Sequence, residues 1–132
     1  MKVRWLREPQ PHDYPAAAAY LGLITDPDTA KSRTNDLEKK PIVFQKAKDI
    51  LRAARLPLLP ADDPYVAADL RKIRKGKPLS PVLLVRGNLE GTPLQVADGY
   101  HRICAAYHLG EDTDVSAQIM TLSGEDTEKL PH

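Results

Sequence analysis

The segment that most limits the fold runs from residue 80 to 110, SPVLLVRGNLEGTPLQVADGYHRICAAYHLG. SPVLLVRG is a strongly apolar run that reads as a strand, NLEGT carries the turn, and PLQVA reads as a second strand. Two such runs joined by a short Gly-containing turn predict a β-hairpin. The second strand stops at Asp98-Gly99 and passes at once into a small-residue helix from about His101 to Leu109, closed by Gly110. Strand, turn, strand, tight turn and helix follow without a break, and any architecture must accommodate that order. VSAQIM, residues 115–120, then alternates and predicts a third strand.

Upstream, Asp63-Pro64 predicts a helix start, with Asp63 as cap and Pro64 at the first position. Val66, Leu70 and Ile73 form the expected buried stripe, Arg71, Lys72, Arg74 and Lys75 fill much of the remainder, and Gly76 ends the helix. Phe44, Ala47, Ile50, Leu51 and Ala54 recur at helical spacing, which predicts one helix across IVFQKAKDILRAARL. PAAAAYLGL, from Pro15 to about Leu23, reads as a short helix with Asp13 upstream as a cap candidate. Residues 1–14 read as an extended arm anchored by Trp5 and Leu6, and the polar stretch 25–40 reads as a loop. The expected organisation is an N-terminal arm, short helix and polar loop over 1–40, a main domain over 41–122, and a polar, frayed tail over 123–132.

A chain of 132 residues fits one core. With aromatics at 5%, that core must be built from Leu, Val, Ile and Ala. A net charge of +1 gives no global attraction to polyanions, so any such binding must come from a local patch. The lone cysteine, Cys104, cannot form an internal disulfide, which favours a reducing, cytoplasmic setting and a buried structural thiol. No apolar run nears the roughly 20 residues needed to span a bilayer, and AAAAYLGLI reads as a helix, not a signal peptide.

The chemistry concentrates at DGYHR. A strand feeding a helix through a tight turn points free backbone N–H groups at one spot, and the helix dipole adds positive potential there. Gly99 removes a side chain where a ligand would approach the backbone. Arg102 offers a fork of donors, His101 offers ring nitrogens, and Asp98 is a candidate cap, magnesium ligand or catalytic acid/base. An anion site and a plain capped turn both fit this pattern.

The stretch from DPYVAADLRKIRKGKPLSPVLLVRG through PLQVADGYHRICAAYHLG to VSAQI resembles the ParB N-terminal/sulfiredoxin-like superfamily over about residues 56–120. The best-matching segments are KGKPLSPVLLV and DGYHRICAAYHLG. The resemblance implies an α+β fold, a small mixed sheet flanked by helices, here with an N-terminal helical extension. It implies a nucleotide (ATP, ADP or CTP), with or without magnesium, or another phosphorylated ligand, held by Gly99, Tyr100, His101, Arg102 and Lys72. Phosphoryl transfer or nucleotide hydrolysis with Asp98 as the catalytic group is the implied chemistry. Tyr100 stands where sulfiredoxins carry the catalytic cysteine, so sulfinic acid reduction is not expected.

Three other readings stay open. The basic face over residues 71–77 suits a non-enzymatic module binding DNA or protein, through Arg71, Lys72, Arg74, Lys75 and Lys77. A metal-dependent nuclease would need carboxylates to converge, with Asp98, Asp112 and Asp114 as candidates. The Ala16–Ala19 run would let a helix of a partner or a second copy approach closely, giving a homodimer. His12, His101, His108 and His132 form no metal-ligand spacing, so no metal site is expected.

Overall fold

The protein is described by a computed structural model over residues 1–122. It is an α+β fold with the order α1 (Asp13–Leu21), α2 (Pro27–Leu37), β1 (Val43–Lys46), α3 (Ala47–Ala54), α4 (Pro64–Arg74), β2 (Val82–Arg86), β3 (Gln95–Asp98), α5 (Tyr100–Leu109) and β4 (Asp114–Thr121). The strands form one mixed sheet in the order β1-β4-β2-β3. β2 and β3 are the expected antiparallel hairpin, β2 and β4 run parallel, and β1 pairs antiparallel with β4 at the other edge.

The apolar run Val82–Val85 sits in a central strand covered on both faces, and such strands do not alternate. Val82 and Leu84 pack with Ala47, Ile50, Val66, Ile73, Ile103 and Ala117 under α3, α4 and α5. Leu83 and Val85 face the other way and pack with Ala17, Leu21, Ala30, Leu37, Ala97 and Met120 under α1 and α2. α4 begins and ends as expected: the Asp63 carboxylate accepts from the amides of Tyr65 and Val66 at 3.0 and 3.1 Å, and Gly76 follows with φ of +72°.

The N-terminal third differs from the sequence reading. The polar stretch 25–40 is not a loop; it contains α2. Asp26 caps this helix, accepting from the Thr29 amide at 2.8 Å, and Pro27 lies in its first turn. Its buried line is Ala30, Thr34 and Leu37, and the Thr34 hydroxyl is tolerated inside because it donates to the Ala30 carbonyl at 2.7 Å. Asp13 does not cap α1 from outside. It is the first helical residue, and its buried carboxylate accepts from the Gln10 amide and the Ser80 hydroxyl. Gln118 of β4 fastens the layer, accepting from the Tyr14 hydroxyl at 2.7 Å and donating to the Lys40 carbonyl at 2.8 Å.

The arm before α1 runs beside the entry to β2. Leu6 donates to the Leu79 carbonyl and Leu79 to the Arg4 carbonyl, with Trp5 partly buried between them. The single helix expected over 42–56 divides into β1 and α3, because Val43 and Phe44 pair with Ala117 and Ser116 of β4. Phe44 is therefore 57% exposed on an edge strand, while Ala47, Ile50, Leu51 and Ala54 are buried as their spacing predicts. The tail expected to fray, 123–132, lies outside the described residues. Among the described residues no helix is long and apolar enough to cross a membrane.

Candidate functional site

β3 reaches the turn through an irregularity. Leu83 pairs with Asp98 but Leu84 pairs with Val96, so Ala97 is an extra residue in β3. Gly99 then adopts φ of +112° as the N-cap of α5, a conformation that disfavours any side chain. A Cβ there would lie 2.4 Å from Val82 Cγ1. Close packing of the turn on β2 therefore demands the glycine by itself, and Gly99 also lines a hollow between the turn and α4. The amides of Tyr100, His101 and Arg102 precede the first intrahelical bond, from Ile103 to the Gly99 carbonyl at 3.1 Å, and engage no acceptor among the described residues.

A hollow of about 290 Å³ lies between this turn and α4. All six residues expected from sequence line it: Asp98, Gly99, Tyr100, His101 and Arg102 from the turn, and Lys72 from α4. α4 also contributes Tyr65, Ala68 and Asp69, which the sequence reading missed. Lys72 is exposed and carries no ion pair among the described residues. The His101 ring packs 4.9 Å from that of Tyr65 and 5.7 Å from that of Tyr100.

Three of the turn's side chains are partly committed. Arg102 donates to the Asp98 carboxylate at 2.8 Å and to the Pro81 carbonyl at 3.3 Å through one nitrogen, so only part of its fork can face a ligand. Asp98 does not cap α5; its carboxylate pairs with Arg102. Burial pushes the Asp98 carboxyl up, and the bond from Arg102 opposes that shift. The Tyr100 hydroxyl donates to the Pro57 carbonyl, leaving its amide as this residue's contribution to the hollow.

Asp69 is the unexpected group. It is half-buried and has no hydrogen bond or ion pair among the described residues. Desolvation raises its carboxyl above the ordinary value, and the charges of Lys72, Arg102 and His101 offset part of that. The signal was its spacing: Asp69 stands three positions before Lys72 on α4, the side facing the turn. A second hollow, of about 400 Å³, adjoins the first, and Asp69, Lys72 and Arg102 line both. Its far side is built by Leu6, Gln10 and His12 of the N-terminal arm with Lys77, Pro78 and Ser80.

The carboxylates proposed to converge for a nuclease do not do so. Asp112 pairs with Lys48 at 2.8 Å and Lys46 at 3.6 Å, and neither Asp112 nor Asp114 lines the hollow that holds Asp98. Among the described residues no group of three or more His, Cys, Asp or Glu could hold a metal ion. Larger hollows, of about 430 Å³ beside Leu84 and Leu94 and about 700 Å³ between α1 and α2, bring neither Lys72 nor His101 to a helix start. Cys104 is fully buried in α5, where desolvation raises its thiol. The chain matches no protein-family model, no curated protein and no solved structure.

Proposed function

We propose that the chain is a ParB/sulfiredoxin-like domain that binds a nucleotide, or another phosphate-bearing ligand, at the Asp98–Arg102 turn. The observation that carries this is the convergence of three unengaged amides, at Tyr100, His101 and Arg102, with the Lys72 ammonium and the His101 ring on one hollow. A helix start with a nearby cation suits a phosphate group. Arg102 holds Asp98 through Nη2 and its Nε is buried, so only Nη1 is left for a ligand. The order α4-β2-β3-α5-β4, with KGKPLSPVLLV leading into the hairpin and DGYHR at the turn, supports the family reading.

Thiol chemistry finds no support at this turn, because Tyr100 occupies the relevant position and Cys104 is enclosed in the core. Magnesium, if used, would have to compete with Arg102 for Asp98 or be held chiefly by the ligand's own phosphates. Asp98 is correspondingly poorly freed for acid/base work.

Isothermal titration with ATP, ADP, CTP and GTP, with and without magnesium, tests the reading. Lys72→Ala should weaken binding about tenfold, the scale of one charged contact. Absence of binding to the native chain at millimolar nucleotide overturns it. A second reading rests on Arg71, Lys72, Arg74, Lys75 and Lys77, exposed without an acidic partner among the described residues. Salt-sensitive duplex DNA binding, lost when Arg74 and Lys75 are neutralised, would favour that reading.

A further inference from the structure

Asp69 is a carboxylate in the wall of a hollow otherwise suited to anions, and it makes no hydrogen bond or ion pair among the described residues. A carboxylate placed there would repel a phosphate unless a ligand group satisfied it. Two kinds of group could: a metal ion bridging to the phosphate, or a hydroxyl donating to the carboxylate oxygens. The surroundings decide between them. The charges of Lys72, Arg102 and His101 already act on Asp69 within the same hollow, so a further cation there would be opposed by them. A neutral hydroxyl meets no such opposition and gains a charge-assisted hydrogen bond.

The position of Asp69 sets which part of a ligand it meets. It lines both hollows, with the free amides of α5 on the first and Leu6, Gln10 and Pro78 on the second. The first hollow alone, at about 290 Å³, stands at the bottom of the range for small-molecule sites, roughly 300–1,000 Å³. With the second, of about 400 Å³, there is room for a ligand larger than its phosphate. A group at the junction follows the phosphate and precedes the rest of the molecule. In a nucleotide that group is the sugar.

Resting on the phosphate-site reading above, we infer that Asp69 accepts a hydrogen bond from a ribose hydroxyl of a bound ribonucleotide, whose phosphates lie at the α5 start and whose base extends into the hollow walled by the N-terminal arm. The arm thereby gains a role: Leu6, with Pro78 beside it, offers apolar surface and Gln10 a polar edge for a base. Asp69, not Asp98, is then the carboxylate directed at the ligand.

Titration of the full chain with ATP, ADP and CTP, each beside its 2′,3′-dideoxy counterpart, tests this against Asp69→Ala and Asp69→Asn. Asp69 makes no hydrogen bond or ion pair among the described residues, so both variants should keep the native circular dichroism spectrum. The native chain should prefer the ribonucleotide by about tenfold, the scale of a hydrogen bond to a charged group. Asp69→Ala should erase that preference by weakening the ribonucleotide while binding the dideoxy form as well as the native chain or better, since no unsatisfied carboxylate then faces its phosphates. Equal ribo-to-dideoxy ratios in native and variant chains would overturn the assignment while nucleotide binding itself stood. No binding of any nucleotide to the native chain would overturn both.

Discussion

Arg102 and Asp98 stand four residues apart across the turn and share a hydrogen bond of 2.8 Å, with 18% and 19% of their side-chain surfaces exposed. This pair fastens the end of β3 to the first turn of α5, and Arg102 extends the fastening to the Pro81 carbonyl. Arg102→Ala should therefore destabilise the fold, by about 2 kcal/mol, because it strands a largely buried carboxylate. The loss should shrink as the pH falls and Asp98, its carboxyl already pushed up by burial, takes a proton. Adding Asp98→Ala should recover part of the loss. Urea unfolding of the two single variants and the double variant measures the coupling, and strict additivity would show that the pair has no structural weight.

Gly99→Ala should be among the more damaging single changes. The substitution sets a Cβ into a left-handed backbone, at φ of +112°, and 2.4 Å from Val82 Cγ1. Strain of both kinds together should cost on the order of 3 kcal/mol. Val82→Ala should rescue it only in part, since Val82 Cβ would still be 2.7 Å away. Thermal melts of the two single variants and the double variant check this.

These two residues also show what the sequence could convey. The strand–turn–helix order around Gly99 was legible because Pro64, Gly76, Gly99 and Gly110 punctuate apolar runs of unmistakable length. The packing of Gly99 on Val82 was not, since a glycine demanded by a neighbouring strand looks the same in sequence as one demanded by a ligand. α2 was hidden because Ala30, Thr34 and Leu37 are its only buried positions, and one of them is polar. Its start carried the same signal as α4, an Asp-Pro pair at Asp26-Pro27, which marks the helix more reliably than its weak periodicity. β1 was absorbed into α3 because only Val43 of its four residues is even partly buried, so no alternation appears. Asp69 escaped notice because only a tertiary contact, α4 against the α5 start, separates it from an ordinary solvated helix residue.

Because α1 and α2 cover Leu83, Val85, Ala97 and Met120, the first forty residues should be indispensable to the sheet. Leu37→Ala, at a fully buried position, should cost roughly 2–5 kcal/mol. A chain beginning at Pro41 should expose that apolar face and self-associate. Size-exclusion chromatography with light scattering checks the truncation. A soluble monomer with native ellipticity per residue would show that the second face needs no cover.

Asp69 should carry a stability cost that marks it as a binding group. Its carboxyl is raised above the ordinary value of 3.8, first by desolvation, with Lys72, Arg102 and His101 compensating only in part. A carboxyl raised on folding opposes the native state whenever both states are ionised, that is, above its folded pKa. As the pH drops through that folded value the native chain binds a proton first, and the cost fades. Below the unfolded value both states are protonated and no difference remains. Asp69→Asn should thus raise the urea midpoint at pH 7 and lose that advantage progressively in acid. The same variant should bind ribonucleotide less well at pH 7, a gain in stability set against a loss of function. Paired urea titrations at pH 7 and at a pH below about 4 read the linkage directly. An Asn variant no more stable than the native chain at pH 7 would mean that the surrounding cations compensate Asp69 fully, leaving no unmet carboxylate for a ligand to satisfy.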